Sequence, residues 1–393
     1  MNKTRINLYA KSRYLTRRMA CAALLAVCCA LPAHAQELSG YVNRMFSLVS
    51  QQPADETWWQ SQVHNRLSFG WQFSEHWRVD AGMRNRFMLG SEAMIQPEST
   101  EFDAGLADLS WNWVAGKKVL GNTLIDRLSV TFERDKWQLR LGRQRINWGQ
   151  TLVWNPNDIF NTYSFFDFDY PERSGCDAFR ATYYHSETAS SELAASVNRD
   201  GKLTAALLHH WSRKNFDFQL MAGEQAQADL VLGGACTGDF GGLCWRSEAA
   251  IFRPVRNFSD TTTVVAASVG VDYTFGSSLT LQAEALYNNV GNAFSGSGLM
   301  GLYAAPLSAK FLSICDWSIF AQASYPFTPR LNAALSGMYF ADAKACYTGA
   351  TVDCSITENL DLSLIAQYFS TVGSAAPDEM QVILGFVRLK YSF

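Results

Sequence analysis

From residue 57 onward, apolar and polar residues alternate with a period of two, and the alternation breaks and restarts at short polar turns. Val63, Leu67, Phe69, Trp71 and Phe73 fall on one face of a first run, with His64, Arg66, Ser68 and Gln72 on the other. After Ser74-Glu75-His76 the pattern resumes: Trp77, Val79, Ala81, Met83 and Phe87 against Arg78, Asp80, Arg84 and Arg86. Successive side chains of a strand point to opposite faces, so this pattern predicts half-buried strands joined in hairpins. It recurs at Val265 to Phe275 and Leu279 to Asn288, and again on either side of Thr328-Pro329-Arg330. A single hairpin of this kind also suits a soluble sandwich with one face in water.

Two further features separate a barrel from a sandwich. Aromatic residues flank the tight turns, as in the pairs Phe73 and Trp77, Phe132 and Trp137, Trp211 and Phe216, and Tyr325 and Phe327. Aromatics at the ends of apolar strand faces are what a membrane interface selects. Short connections (SEH, ERDK, SRKN, GSS, TPR, TEN) alternate with longer irregular ones at 90–101, 149–175, 289–315 and 371–379. That alternation is the expectation for a transmembrane antiparallel β-barrel with short periplasmic turns and longer outer loops. Strands are predicted at 38–50, 58–73, 77–89, 122–133, 137–147, 176–185, 191–198, 202–211 and 216–224. The second half adds 229–238, 243–252, 262–275, 279–288, 316–327, 331–340, 346–356, 360–370 and 380–393. The total is about 18, with a range of 16–20 because 102–113 also alternates and fits either an outer extension or an extra pair. A barrel of this size has room for an aqueous lumen.

Composition fits this all-β reading. Hydrophobic residues make up 48% and charged ones 18% of 393 residues, and mean hydropathy is −0.09, as expected when a lipid-facing row and a wet row average out. Residues 1–35 carry Lys3, Arg5, Lys11, Arg13, Arg17 and Arg18, then the uncharged stretch Met19 to Ala33, then Ala33-His34-Ala35. This is the pattern of a secretory signal peptide, leaving 36–393 as the barrel. The formal charge of −3 becomes −9 for residues 36–393, so no nucleic-acid partner is expected. Six cysteines remain (Cys176, Cys236, Cys244, Cys315, Cys346, Cys354), without a CxxC; Cys236 and Cys244 could clasp a hairpin, whereas Cys346 and Cys354 on one strand could not pair.

The final strand alternates Ile383, Val387, Leu389, Tyr391 and Phe393 with Leu384, Arg388 and Lys390, and resembles the C-terminal assembly signal of Gram-negative outer-membrane barrels. That resemblance implies the barrel-assembly machinery as a partner. The runs GRQRINWGQ (142–150), NPNDIF (155–160) and DFDYPERSG (167–175), with FDFQLMAGE, CWRSEAAIF and VDYTF, resemble porin-like outer-membrane barrels whose solute is unassigned. The resemblance spans most of 36–393. It implies a fold and an outer-membrane location, while offering no catalytic residue, cofactor or metal.

Segment 149–175 is too long for an ordinary hairpin loop and too aromatic to point at water, so it is predicted to fold over or into the lumen. Trp154, Asp158, Asp167, Asp169, Tyr170 and Glu172 are its constriction candidates, for a structural plug, a selectivity element or a sugar contact. The alternation also aims Arg66, Arg78, Arg84, Arg86, Arg140, Glu248, Asp272, Glu284, Arg388 and Lys390 into the lumen, where they either pair with one another or select solutes. His209 and His210 are adjacent and so face opposite sides, and no GxSxG occurs. The expectation is therefore a non-enzymatic channel for passive diffusion of small hydrophilic solutes, set against a loop-plugged barrel with a structural, adhesion or lipid-handling role. Outer-membrane lipid is its other partner, and oligomeric state is left open.

Overall fold

The computed structural model describes residues 36–52, 55–95, 103, 105–166, 168–256, 263–289, 308–371 and 381–393. The expected signal peptide and Asp167 lie outside them, as do parts of three of the long connections. The first strands are β1 (Gln36–Gln52), β2 (Glu56–Ser74), β3 (Trp77–Gly90), β4 (Ser110–Gly116), β5 (Val119–Arg134) and β6 (Trp137–Gln144). Next come β7 (Cys176–Ser186), β8 (Ala189–Val197), β9 (Leu203–Arg213), β10 (Phe216–Gln225), β11 (Asp229–Phe240) and β12 (Leu243–Pro254). The chain finishes with β13 (Val264–Thr274), β14 (Thr280–Asn288), β15 (Trp317–Thr328), β16 (Leu331–Phe340), β17 (Ala345–Thr357), β18 (Leu360–Thr371) and β19 (Gln381–Ser392).

Every strand except β4 pairs antiparallel with both neighbours, and β1 closes on β19 from Tyr41↔Ser392 to Gln52↔Gln381. Gly40 and Phe393 complete the seam by exchanging N–H···O bonds of 2.9 Å. The result is a closed barrel of 18 strands, with β4 as an extra strand. Closure leaves the 18-strand wall without a free edge, which a membrane requires because lipid offers no hydrogen bonds. Of segment 102–113, residues 105–109 lead into the extra strand and 110–113 form its first part. One edge of β5 pairs with β3 throughout. Its other edge is divided, Leu128–Arg134 pairing with β6 and Val119–Leu124 with β4. Strand β6 is short because the chain turns into the lumen after Gln144, and β4 pairs the part of β5 that β6 leaves uncovered. Gly142 allows the departure: its φ is +115°, and a Cβ there would lie 2.3 Å from the Leu128 carbonyl oxygen.

The alternation sorts side chains as expected. Leu141, Leu207, Leu220, Leu232, Ile319, Leu335 and Ile383, from seven different strands, are each more than half exposed, and every other wall strand adds outward aliphatic or aromatic residues. So continuous an apolar belt is stable only against lipid. Leu389, Tyr391 and Phe393 belong to it. The short turns at 75–76, 135–136, 187–188, 214–215, 241–242, 329–330 and 358–359 share one end with both described chain ends. At the opposite end four described connections, 117–118, 198–202, 226–228 and 341–344, are also short, so loop length is less segregated than the sequence suggested.

The six cysteines are free. Cys236 pairs with Ser247 and Cys244 with Asp239; Cys236 faces outward with Leu232 and Cys244 inward with Glu248. That register rules out the clasp.

Candidate functional site: a loop seated in the lumen

The barrel interior has two unlike sectors. The β1–β3 wall presents Asn43, Ser47, Gln62, His64, Arg66, Arg84 and Arg86, all buried and polar. The β14–β19 wall presents Leu286, Phe320, Met338, Phe340, Tyr347, Ile365, Phe369, Leu384 and Phe386. The expectation of a uniformly wet lumen fails here, and the reason is the loop at 145–175. Its aromatic rings pack on this apolar sector: Phe165 on Phe320 (5.1 Å between centroids), Phe166 on Tyr347 (5.1 Å) and Phe369 (5.2 Å), and Phe168 on Phe386 (4.9 Å). Each such ring removed from water contributes about 1.5–3 kcal/mol.

Two wall carboxylates hold the loop backbone. Glu248 on β12 accepts N–H bonds from Gln150 (2.7 Å), Thr151 (3.3 Å) and Asn157. Glu284 on β14 accepts those of Leu152 (2.9 Å), Val153 (3.0 Å) and Trp154 (2.8 Å). Both glutamates are buried, so these two solute-contact candidates are committed to the loop instead. A non-helical loop inside a barrel must satisfy its N–H groups internally, and two carboxylates supply the acceptors. Asn157 donates to the Gly234 carbonyl (3.1 Å), and Gly233 leaves room for it: a Cβ there would lie 2.2 Å from Asn157 Oδ1. Trp154 is buried in the apolar cluster.

Toward the polar sector the loop meets the wall in one layer. Asp169 accepts from Asn43 (3.0 Å) and Gln62 (2.6 Å) and lies 3.3 Å from Arg84 and 3.4 Å from His64. Glu172 accepts from the Tyr41 hydroxyl at 2.9 Å. Arg84 stacks 4.1 Å above the Tyr170 ring, whose hydroxyl donates to Asp126, and Asp126 also pairs with Arg66. Asp126 is the extra residue of a bulge in β5, since Gly82 pairs with Arg127 and Met83 with Ile125. The bulge aims a carboxylate inward from a position that strict alternation would make ambiguous. No sequence signal singled it out.

On the loop-end side of this layer is a cavity of about 530 Å³ lined by Ser47, Gln60, Gln62, Tyr163, Phe166 and Arg173, among others. On the turn-end side is a second, of about 510 Å³, lined by Arg66, Arg127 and Arg145 opposite Glu172, with Asp126 pairing with Arg66 from behind. The Asp169–Glu172 layer lies between them.

The remaining candidates form ladders along the wall. Arg78 pairs with Asp80 (2.8 Å) and Glu37 (3.1 Å), and Arg140 with Asp80 (3.3 Å). Arg246 pairs with Asp272. Arg388 donates to Ser363 (2.9 Å) and the Phe168 carbonyl (3.4 Å), Lys390 sits 4.5 Å above the Tyr41 ring, and Arg86 lies 3.4 Å from Asn122 Oδ1. Arg143, absent from the candidates, is buried at the start of the loop, where it binds Asp103 and, at 2.8 Å, Asp177.

Burial alone would raise the Asp169 carboxyl, but His64, Arg84 and Gln62 facing it hold it below the ordinary carboxylate range. Burial wins at Asp158, which is pushed up to about 7 against the opposing pull of Arg145 and the N–H groups of Asn161 and Trp148. The undocked loop would ionise Asp158 in the ordinary carboxylate range, near pH 4. Docking is therefore strongest below that range and weakens as pH rises toward 7, with no further loss above. Proteolysis of residues 150–165 is expected to speed up between pH 4 and 7 and to level off above, and Asp158→Asn should reduce that dependence. A flat wild-type profile would refute it.

No protein-family model matches the sequence, and no curated protein does. Solved structures do resemble it. Pseudomonas aeruginosa OpdK with vanillate superposes with a TM-score of 0.56 at 10% identity, covering 91% of this chain and 99% of that one. Acinetobacter baumannii OccAB1 gives 0.54 at 11% identity, covering 91% and 97%. Pseudomonas aeruginosa OpdQ gives 0.53 at 10%, covering 92% and 99%. The chain has a porin fold. At these identities the likeness concerns the barrel, and residue roles rest on the geometry above.

Proposed function

We propose that the chain is an outer-membrane channel that passes small hydrophilic solutes, by passive diffusion, along the polar β1–β3 wall beside the lumen loop. The carrying observation is the pair of cavities on either side of the Asp169–Glu172 layer. The turn-end cavity, where Arg66, Arg127 and Arg145 meet Glu172 and the Asp126 partner of Arg66, keeps a side-chain excess of arginine and favours anions, since rings of charge tune solute passage. Arg66, Arg127 and Arg145 with Asp169, Tyr170 and Glu172, which line the two cavities, form the contact layer. The signal peptide and delivery by the barrel-assembly machinery through Leu389, Tyr391 and Phe393 belong to the same reading.

Planar-bilayer recording of the purified protein tests it. Wild type is expected to conduct, with a reversal potential in a salt gradient on the anion side. Deletion of 150–174 should enlarge the conductance and reduce that selectivity. Absence of conductance in both proteins refutes the channel.

A further inference from the structure

We propose that His185, Ser191 and His209 form a site on the lipid-facing wall that binds the phosphate of a phospholipid headgroup. It rests on the reading of the barrel as membrane-embedded and is independent of what crosses the lumen.

Ser191 Oγ lies 2.8 Å from His185 Nε2 and 2.9 Å from His209 Nδ1, three side chains from the adjacent strands β7, β8 and β9. Cross-strand pairing builds the site: Tyr183, Ser191 and His209 stand in one row, and His185 occupies the irregularity between Tyr184 and Ser186. The site faces outward. Leu193 and Leu207, two residues closer to the loop end on the same faces, are about half exposed in the apolar belt. The polar group is therefore about 6.6 Å beyond those leucines, at the turn-end margin of the belt.

Aromatic rings mark that depth. Tyr183 contacts Trp137 (4.8 Å) and His185 (5.0 Å), while His209 stacks on Trp211 (5.5 Å), which stacks on Phe218 (5.4 Å). Such girdles sit at the level of lipid headgroups. Each imidazole uses one nitrogen on Ser191, and His185 Nδ1 and His209 Nε2 have no hydrogen-bond partner among the described residues. Lys136 adds a cation, its Nζ 3.2 Å from the His185 carbonyl, and exposed Arg213 ends the outward face of β9. Turnward of Leu193 and Leu207, no outward-facing strand position on β6–β9 carries a carboxylate. Exposed Asp135 and Glu187 lie in the flanking turns; on the outward face itself, the free imidazole N–H, Lys136 and Arg213 at headgroup depth complement a phosphodiester and offer little to an uncharged lipid.

The test is native mass spectrometry of the full barrel in detergent with two probes of identical palmitoyl and oleoyl chains, phosphatidylglycerol and diacylglycerol. Wild type is expected to retain the phospholipid over the diacylglycerol. His185→Phe/Ser191→Ala/His209→Phe should weaken that retention about tenfold, the effect of one lost charge-assisted hydrogen bond. Ser191→Ala alone is the milder companion should the triple variant fail to fold, and heat-shifted gel mobility verifies the barrel. Equal retention of both probes, undiminished retention in a folded variant, or inorganic phosphate displacing the lipid overturns the proposal. Unchanged bilayer conductance in the variants separates this outcome from failure of the channel reading.

Discussion

Replacing Glu248 and Glu284 together by alanine is expected to release residues 150–157 from the wall and raise single-channel conductance. Six backbone N–H groups end on these two carboxylates. Each donor stranded in a buried site costs about 1–3 kcal/mol, so the docked loop loses on the order of 6 kcal/mol or more. The stacked phenylalanines keep their share, which predicts a loop that flickers rather than one that leaves. Either single variant strands three donors and should show roughly half the penalty, because the two glutamates serve different stretches of backbone. The readouts are conductance noise in bilayers and protease sensitivity of the loop, with gel mobility reporting an intact barrel. A double variant with wild-type conductance and a protected loop would show that the carboxylates do not hold it.

The second large effect is expected at Asp126. Its side chain is buried and joins Arg66 to the Tyr170 hydroxyl, so one substitution disturbs wall and loop together. Breaking a buried ion pair from one side costs about 3–5 kcal/mol, mostly because the other charge stays buried without its partner. Asp126→Ala should therefore lower the thermal unfolding midpoint sharply and, by leaving Arg66 unopposed, shift the channel further toward anions. Tyr170→Phe removes one hydrogen bond while keeping the ion pair, and should cost about 1 kcal/mol. Arg66→Met with Asp126→Leu removes both charges and should recover most of the stability lost in Asp126→Ala. An Asp126→Ala protein as stable as wild type would mean that the Arg66 charge is solvated in the lumen.

The barrel was largely legible because the sequence property that encodes it is local. In a strand the side-chain period is two whatever the neighbours are, so Val63 against His64 or Leu389 against Arg388 assigns faces without knowledge of the pairing. The 18 wall strands follow from that rule, and so does the aromatic excess of 149–175, which no aqueous loop could carry. Cross-strand register is not local. Asp126 faces inward through a bulge defined against β3, and Arg143 meets Asp103 and Asp177 only after β4 and β7 are placed. His209 looked unpromising beside His210, since the relevant neighbours, Ser191 and His185, come from other strands.

By itself, then, the sequence determined a membrane barrel of about 18 strands, its lipid and lumen faces, and a long loop destined for the interior. Each of these follows from periodicity or solvation of a contiguous stretch. Only the tertiary structure decided what the inward charges do. Glu248 and Glu284 read as lumen charges that pair with one another or select solutes but are occupied by loop N–H groups, and the β14–β19 wall is apolar because loop phenylalanines cover it. A side chain's partner is fixed by distances across the barrel, between residues as far apart in the chain as Tyr41 and Lys390, and no periodicity carries that information.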